Sequence, residues 1–473
     1  MKFILSMAAS IVLARLLTPQ DYGLIGMVVI LISLTGMFQY LGLSTATVRW
    51  AELTHQQVST LFWINLGLST AVALLTIAAS PLLAWFYHEP RLIGITLGYA
   101  VVLFLTGLYI QPEAILIRQM RFVAIAVIEV SSMAVGLAVA IVAAWYGAGY
   151  RALVLNMLVM TIVTLVGIWS ACRWWPGMPV RGSGVRAMIS YGGNLTGFHL
   201  TNFFSRNLDN LLIGKFWGAY QLGVYSKAYQ MLLTPMSQIT APLGTVAIPA
   251  LSRLADSPER YRAAYLKILE KIAMITMPGF IFMIATSDWL VLLLLGPQWR
   301  EAGRIFMLLG IAAVVQPVTR TVPWLFTTQG RSRDMLRWGF IGSGIAVASI
   351  IGGLPWGALG VAAAYALSDL LIATPLMFWY AGRSGPVRAI DFYRTITPSA
   401  CAAISSLAVL IACRPWLALI SNLFVRLSVA FLITLTASVL VLAALPAGRS
   451  AITSLKDMLV MVFRREGASV IQS

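Results

Sequence analysis

The sequence predicts an all-α integral membrane protein with about fourteen transmembrane helices. Three observations carry that prediction. Of 473 residues, 59% are hydrophobic and only 10% are charged. The mean hydropathy is +0.86, whereas a soluble domain keeps about 25% charged residues to hold its surface in water. Apolar runs long enough to cross a hydrocarbon core recur along the whole chain, and the basic residues gather in alternate loops between them.

The runs fall near 3–17, 22–43, 61–86, 92–110, 124–146 and 152–171, followed by a basic loop at 173–186. Eight more fall near 189–216, 228–251, 272–295, 304–326, 335–354, 360–380, 396–412 and 423–445. The first run gives about 22 Å of helix against a core of about 30 Å. It is short for a span, and a chain start downstream of the native one is expected.

Charge orients the stack. With the N-terminus inside, the cytoplasmic loops hold Arg49, Arg118, Arg121, Arg173, Arg181, Arg186, Arg253, Arg260, Arg262, Lys267 and Lys271. Arg331, Arg333, Arg337, Arg383, Arg388, Arg394 and the tail cations Arg449, Lys456, Arg464 and Arg465 continue the series. Outside loops hold little beyond Arg91, Arg151, Arg300 and Arg414, so about 22 basic residues face about five. Both termini are expected in the cytoplasm. This distribution also accounts for the net charge of +17 without a nucleic-acid face.

A weak repeat divides the chain. Thr18-Pro-Gln-Asp-Tyr-Gly23 parallels Gly218-Ala-Tyr-Gln-Leu-Gly223, Arg49 parallels Arg253, and Tyr146-Gly-Ala148 parallels Trp356-Gly-Ala358. Offsets of about 200–210 residues are those of two homologous six-helix halves, related by a pseudo-two-fold along the membrane normal. The expected organisation is an N-lobe over 1–182, a C-lobe over 183–386, a helix pair over 387–446 and a cytoplasmic tail over 447–473.

Several stretches resemble one family. They are Leu13-Ala-Arg-Leu-Leu-Thr-Pro-Gln-Asp-Tyr-Gly-Leu24, Glu52-Leu-Thr-His55, Thr60-Leu-Phe-Trp-Ile-Asn-Leu-Gly67 and Arg206-Asn-Leu-Asp-Asn-Leu-Leu-Ile-Gly214. Leu222-Gly-Val-Tyr-Ser-Lys-Ala-Tyr229, Pro249-Ala-Leu-Ser-Arg253 and Leu295-Gly-Pro-Gln-Trp299 complete the set. Together they resemble the Wzx-type polysaccharide flippases, above all the colanic-acid-exporter branch, in the superfamily that includes MATE transporters and the lipid II flippase. The resemblance runs from Leu13 to the twelfth run. It implies two six-helix lobes plus a terminal pair, alternating access, and an undecaprenyl-diphosphate-linked oligosaccharide as substrate. The implied place is the bacterial inner membrane, among its lipids, beside polysaccharide polymerase and co-polymerase proteins.

Charge at membrane depth costs about 2.5–3.5 kcal/mol on insertion scales and therefore faces water or a partner. In the seventh run His199, Asn202, Arg206 and Asp209 share one helical face. Arg206 suits a diphosphate, because a guanidinium matches phosphate oxygens bidentately. The plainer reading is a pairing of Arg206 with Asp209 or Asn210 that only lets the helix insert. Arg320 lies one turn from Gln316, between Pro317 and Pro323, which should break the tenth helix at depth. The plainer reading there is a kink satisfied by neighbouring helices, with Arg320 reaching toward the cytoplasmic interface. Asp209, Asp369, Glu129 and Asp288 are candidates for coupling to a proton or sodium gradient, against simple pairing with nearby cations. Pro235, Pro242 and Pro249 are expected to bend the eighth helix.

Trp85, Trp145, Trp174, Trp175, Trp299, Trp379 and Trp416 read as interfacial anchors. Cys172, Cys401 and Cys413 have neither disulfide nor zinc spacing, and no cofactor or metal is expected. Phosphate-cradling and metallohydrolase signatures are missing from the sequence, and His55 and His88 fall on opposite sides of the bilayer. The reading is therefore a non-enzymatic transporter. A MATE-like small-molecule antiporter and a membrane-embedded polysaccharide polymerase are the alternatives.

Overall fold

The computed structural model describes residues 2–40, 47, 54–179, 186–446, 448, 449 and 453; the side chains of 2–4, 37–40 and 186–206 fall outside that description. Every described element is helical. Ten helical stretches among the described residues are long and apolar enough to span a membrane, or eleven if a bent pair counts as one. Two of them run to 46 and 51 residues, about 70 and 75 Å of helix against a core of about 30 Å.

Helices α1 (Lys2–Leu16) and α2 (Pro19–Tyr40) open the chain. Helix α3 (His55–Tyr87) starts on a capping box. Thr54 accepts from the Gln57 amide while the Gln57 side chain accepts from the Thr54 amide, so two orphan donors are satisfied at once. It ends at His88 in the left-handed conformation. His55 and His88 thus sit at opposite ends of a 33-residue helix, about 50 Å apart along its axis. Helices α4 (Arg91–Arg118), α5 (Phe122–Trp145) and α6 (Tyr150–Cys172) follow on short turns.

The helical stretch Arg186–Ser252 breaks at Gly218, whose φ of 77° and ψ of −178° no L side chain adopts readily. We call its arms α7 (186–217) and α8 (219–252). Helix α8 keeps helical dihedrals through Pro235, Pro242 and Pro249. Helices α9 (Pro258–Ala285), α10 (Ser287–Leu294) and α11 (Arg300–Ala313) come next. The short α12 (Gln316–Thr319) and α13 (Val322–Thr328) then carry the two prolines near their starts. The tenth span is broken as Pro317 and Pro323 predict, and bends by 47° between Ala313 and Gln316. Helices α14 (Ser332–Gly353), α15 (Gly357–Ser368) and α16 (Thr374–Gly382) precede the final pair, α17 (Ala389–Ala418) and α18 (Leu423–Ala444). A single π turn, Asp369–Ala373, joins α15 to α16. In the matched turns of the expected repeat Gly147 and Gly357 both have positive φ, 78° and 72°.

The chain forms two compact units. One comprises Met1–Ser226 with Leu294–Trp299; the other comprises Lys227–Leu293 with Arg300–Ser473. In the first, α2 and α8 cross so tightly that a Cβ on Gly23 would lie 1.6 Å from the Ala219 carbonyl oxygen. A Cβ on Gly223 would lie 1.8 Å from that of Pro19. In hydrocarbon, where association rests on packing, such small residues set how closely helices approach.

Trp299 corrects the sequence reading. It is no interfacial anchor: its side chain is fully buried, its indole N–H donates to the Ala14 carbonyl at 2.7 Å, and its ring meets Tyr22 edge-on at 5.3 Å. Gln298 donates to the carbonyls of Ala14 and Arg15, both at 3.0 Å. Segment 295–299 thus caps the open carbonyls at the end of α1, which a helix cannot satisfy by itself. Trp174 is also held, donating to His55 Nδ1 at 3.2 Å. Trp85, Trp145, Trp175, Trp379 and Trp416 remain exposed.

In the second unit α17 packs on α9 and α18. Arg262 pairs with both oxygens of Asp391, at 2.8 and 2.5 Å, and Phe378 stacks on Phe392. Asp288 pairs with Arg414 at 2.6 Å, which is the plain pairing weighed for it.

Candidate functional site

The first polar cluster lies around the Gly218 break. Asp209 on α7 is buried and accepts from the Tyr225 hydroxyl on α8 at 3.0 Å. Asp209 precedes Gly218 by nine residues and Tyr225 follows it by seven, so the bond spans the two helices about 10–14 Å from the turn. It bridges the two helices, and a carboxylate buried in an apolar span needs such a partner. The side chains of His199, Asn202 and Arg206 lie outside the described residues. Lys227, two positions beyond Tyr225, is also buried. Sequence reading missed it by starting the eighth span at 228, but the helix starts at 219 and carries Lys227 two turns inside.

The second cluster lies within the second unit. Gln316, at the start of α12, donates to Asp369 Oδ2 at 3.4 Å and to the Tyr365 hydroxyl at 3.3 Å. Arg320, one turn further, is exposed and acts electrostatically on the same carboxylate. Two features build this arrangement. The proline-broken tenth helix sets Gln316 at the start of a new short helix, where the Arg320 amide donates to its carbonyl at 2.9 Å. The π turn that opens at Asp369 re-aims that carboxylate within an otherwise α-helical span, a feature common at functional sites. Three residues that the sequence put in separate roles, Gln316 and Arg320 as lining and Asp369 as coupling, are thus neighbours. Tyr365 was not foreseen, since a lone tyrosine in an apolar run carries no signal of its own. Glu129 is half-buried on α5. No group of three metal-ligating side chains occurs among the described residues.

Chemically, the second cluster offers an exposed cation acting on a half-buried carboxylate, to which an amide that also bonds a phenol donates. Arg320 can receive a phosphate, and Asp369 can exchange a proton or hold a small cation. A family model described as polysaccharide biosynthesis protein matches residues 12–304. The chain belongs to that family. It is 24% identical over 365 residues to the lipopolysaccharide biosynthesis protein WzxC of Escherichia coli K12, covering 76% of this chain and 74% of WzxC. It is also 24% identical to the teichuronic acid biosynthesis protein TuaB of Bacillus subtilis 168, over 63% of this chain and 62% of TuaB. The succinoglycan biosynthesis transport protein ExoT of Rhizobium meliloti 1021 matches at 24%, over 66% and 64%. The last two matches span less than two thirds of the relative.

Among solved structures, lipid II flippase MurJ in an inward closed conformation superposes with TM-score 0.72 at 13% identity, covering 94% of this chain and 96% of MurJ. An inward-facing multidrug resistance MATE transporter of the MOP superfamily gives 0.63 at 14%, covering 84% and 96%. The fold is that of MurJ and the MATE proteins, with about 10–14 helices. This family member is a multi-pass membrane transporter of the Wzx flippase type, and its relatives are transporters, not enzymes.

Proposed function

We propose that the protein moves an undecaprenyl-diphosphate-linked oligosaccharide repeat unit from the inner to the outer leaflet of the cytoplasmic membrane. The product feeds assembly of an exopolysaccharide, capsule or O-antigen, beside a polymerase and its co-polymerase. The chain crosses the bilayer fourteen times with both termini inside, in lobes over 1–182 and 183–386, a helix pair over 387–446 and a tail over 447–473. Positive φ at both Gly147 and Gly357, which the repeat aligns, is in keeping with it.

The single observation that carries this reading is an exposed arginine on the broken tenth helix, whose charge acts on the Asp369 carboxylate. Arg320 lies one turn from Gln316, which donates to that carboxylate. A cation there suits an anionic headgroup and disfavours a drug antiporter, whose cationic cargo calls for a net-acidic cavity. Arg206, with His199 and Asn202 on its face, is the second diphosphate contact. Asp209, Asp369 and Glu129 are the candidate groups through which an ion gradient drives alternating access.

The test is complementation of a strain lacking the gene. The unmutated chain restores surface polymer. Arg320→Ala, at equal membrane abundance, lets lipid-linked repeat units accumulate inside, and Arg320→Lys restores export only in part, since an ammonium lacks the bidentate fork. Full export by Arg320→Ala would remove Arg320 from the path.

A further inference from the structure

Helix α8 exposes an unusual surface for a membrane span. Between 222 and 240 only Gln230, Ser237 and Gln238 are exposed, and all three are polar; mostly apolar exposure begins beyond them, at Ala241, Pro242 and Leu243. Thr234, half-buried, lies on the same side at helical spacing. Other spans do the opposite. On α3 the exposed residues between 63 and 85 are Trp63, Gly67, Ala71, Leu74, Leu75, Ile77, Ala78, Pro81, Leu82 and Trp85. On α4 those between 92 and 110 are Ile93, Gly94, Leu97, Val101 and Phe104. Those faces meet lipid tails.

Depth settles what the α8 face can meet. Gln230 lies about 18 Å and Gln238 about 30 Å along the axis from the Gly218 break, in a helix about 50 Å long, so both fall within its central 30 Å or so, the length of a hydrocarbon core. A hydroxyl in such a place can bond its own helix, and Thr234 and Ser237 do so, donating to the carbonyls of Gln230 and Thr234. A glutamine amide has two donors and an acceptor that the helix leaves unused. Facing hydrocarbon, each would cost several kcal/mol.

We propose that the Gln230–Gln238 face of α8 is a wall of the water-filled translocation path, and that its two amides hydrogen-bond the hydroxyls of the passing glycan. This rests on the flippase reading for its substrate, but not for its water. An amide gives and accepts at once, as a sugar hydroxyl does, so two amides about 12 Å apart along one helix guide a neutral sugar chain without gripping it.

The test uses the full chain with Cys172, Cys401 and Cys413 replaced by Ser. Single cysteines are placed at Gln230, Gln238, Leu75 and Val101, and a charged, membrane-impermeant thiosulfonate is added to cells and to inside-out vesicles. Gln230→Cys and Gln238→Cys are expected to react, and Leu75→Cys and Val101→Cys to stay unlabelled. Equal reactivity at all four positions would overturn the water-lined wall. The glycan contact is read separately: Gln230→Leu with Gln238→Leu is expected to abolish polymer export at normal membrane abundance, and normal export would overturn it. Labelling of the two positions in a chain that fails, unmutated, to restore polymer would sink the substrate while the wall stands.

Discussion

At the scale of single residues, the charged groups divide by where they lie. Outside the spans, Glu89 in the turn between α3 and α4 accepts from Arg91 Nε and Nη2 at 2.7 and 2.8 Å. The hydrogen bond from Arg91 holds its carboxyl below the ordinary glutamate range. A carboxyl depressed by folding supports the fold above the usual range and loses that support as pH falls through the depressed value. Glu89→Gln should therefore melt a little lower than the parent at pH 7, and the gap should close below the ordinary glutamate range. Thermal unfolding in detergent at several pH values checks this. The expected effect is small, because an exposed pair is screened by water. Inside the spans, the residues that matter are those the sequence already marked as costly. Asp209, Asp369, Gln316 and Arg320 were legible because a charge or amide in an apolar run has no bland surface to occupy. Tyr225 and Tyr365 were not, because a lone phenol carries no signal of its own, and Gln230 was not, because the eighth run starts at 228 in the sequence and leaves it at a span end, whereas the helix starts at 219.

At the scale of elements, close packing and broken helices do most of the positioning. Gly23 and Gly223 let α2 and α8 cross with backbone against backbone, whereas a Cβ on Gly67 meets nothing within 4 Å. Gly23→Val is therefore expected to lower the melting temperature sharply and reduce membrane abundance, since overpacking costs about 1–3 kcal/mol or more and the obstructing atom is main chain. Gly67→Ala should leave both unchanged; the pair of variants, measured together, separates packing from mere loss of glycine. The repeat had aligned Gly23 with Gly223 from sequence, yet nothing in the chain announced that they serve one crossing. Pro317 and Pro323 did announce their break, because a proline removes the N–H that a helix interior needs. The Asp369 π turn carried no such mark. Trp299 shows the opposite failure: a tryptophan near a span end reads as an anchor until its indole is seen to cap α1.

At the scale of the molecule, the fold class was open to reading because a bilayer admits few solutions. A chain with so few charges must satisfy its backbone within helices, and the run lengths then fix where each helix lies. Helix boundaries were less legible, since apolarity marks where a helix meets lipid and not where it stops: α9 begins at Pro258, well before the apolar run at 272. Substrate chemistry was least legible of all. It depends on a handful of polar side chains whose partners come from distant parts of the sequence, as Gln316 and Asp369 do.

The most direct measurement is movement of the lipid itself. The purified protein is reconstituted into vesicles carrying an undecaprenyl-diphosphate-linked oligosaccharide in both leaflets, under proton and sodium gradients, with an impermeant glycosidase outside. Flipping predicts that the unmutated protein exposes the whole lipid pool to digestion, while Arg320→Ala leaves the inner-leaflet pool protected as in protein-free vesicles. Protection of that pool by the unmutated protein under every gradient would contradict the account.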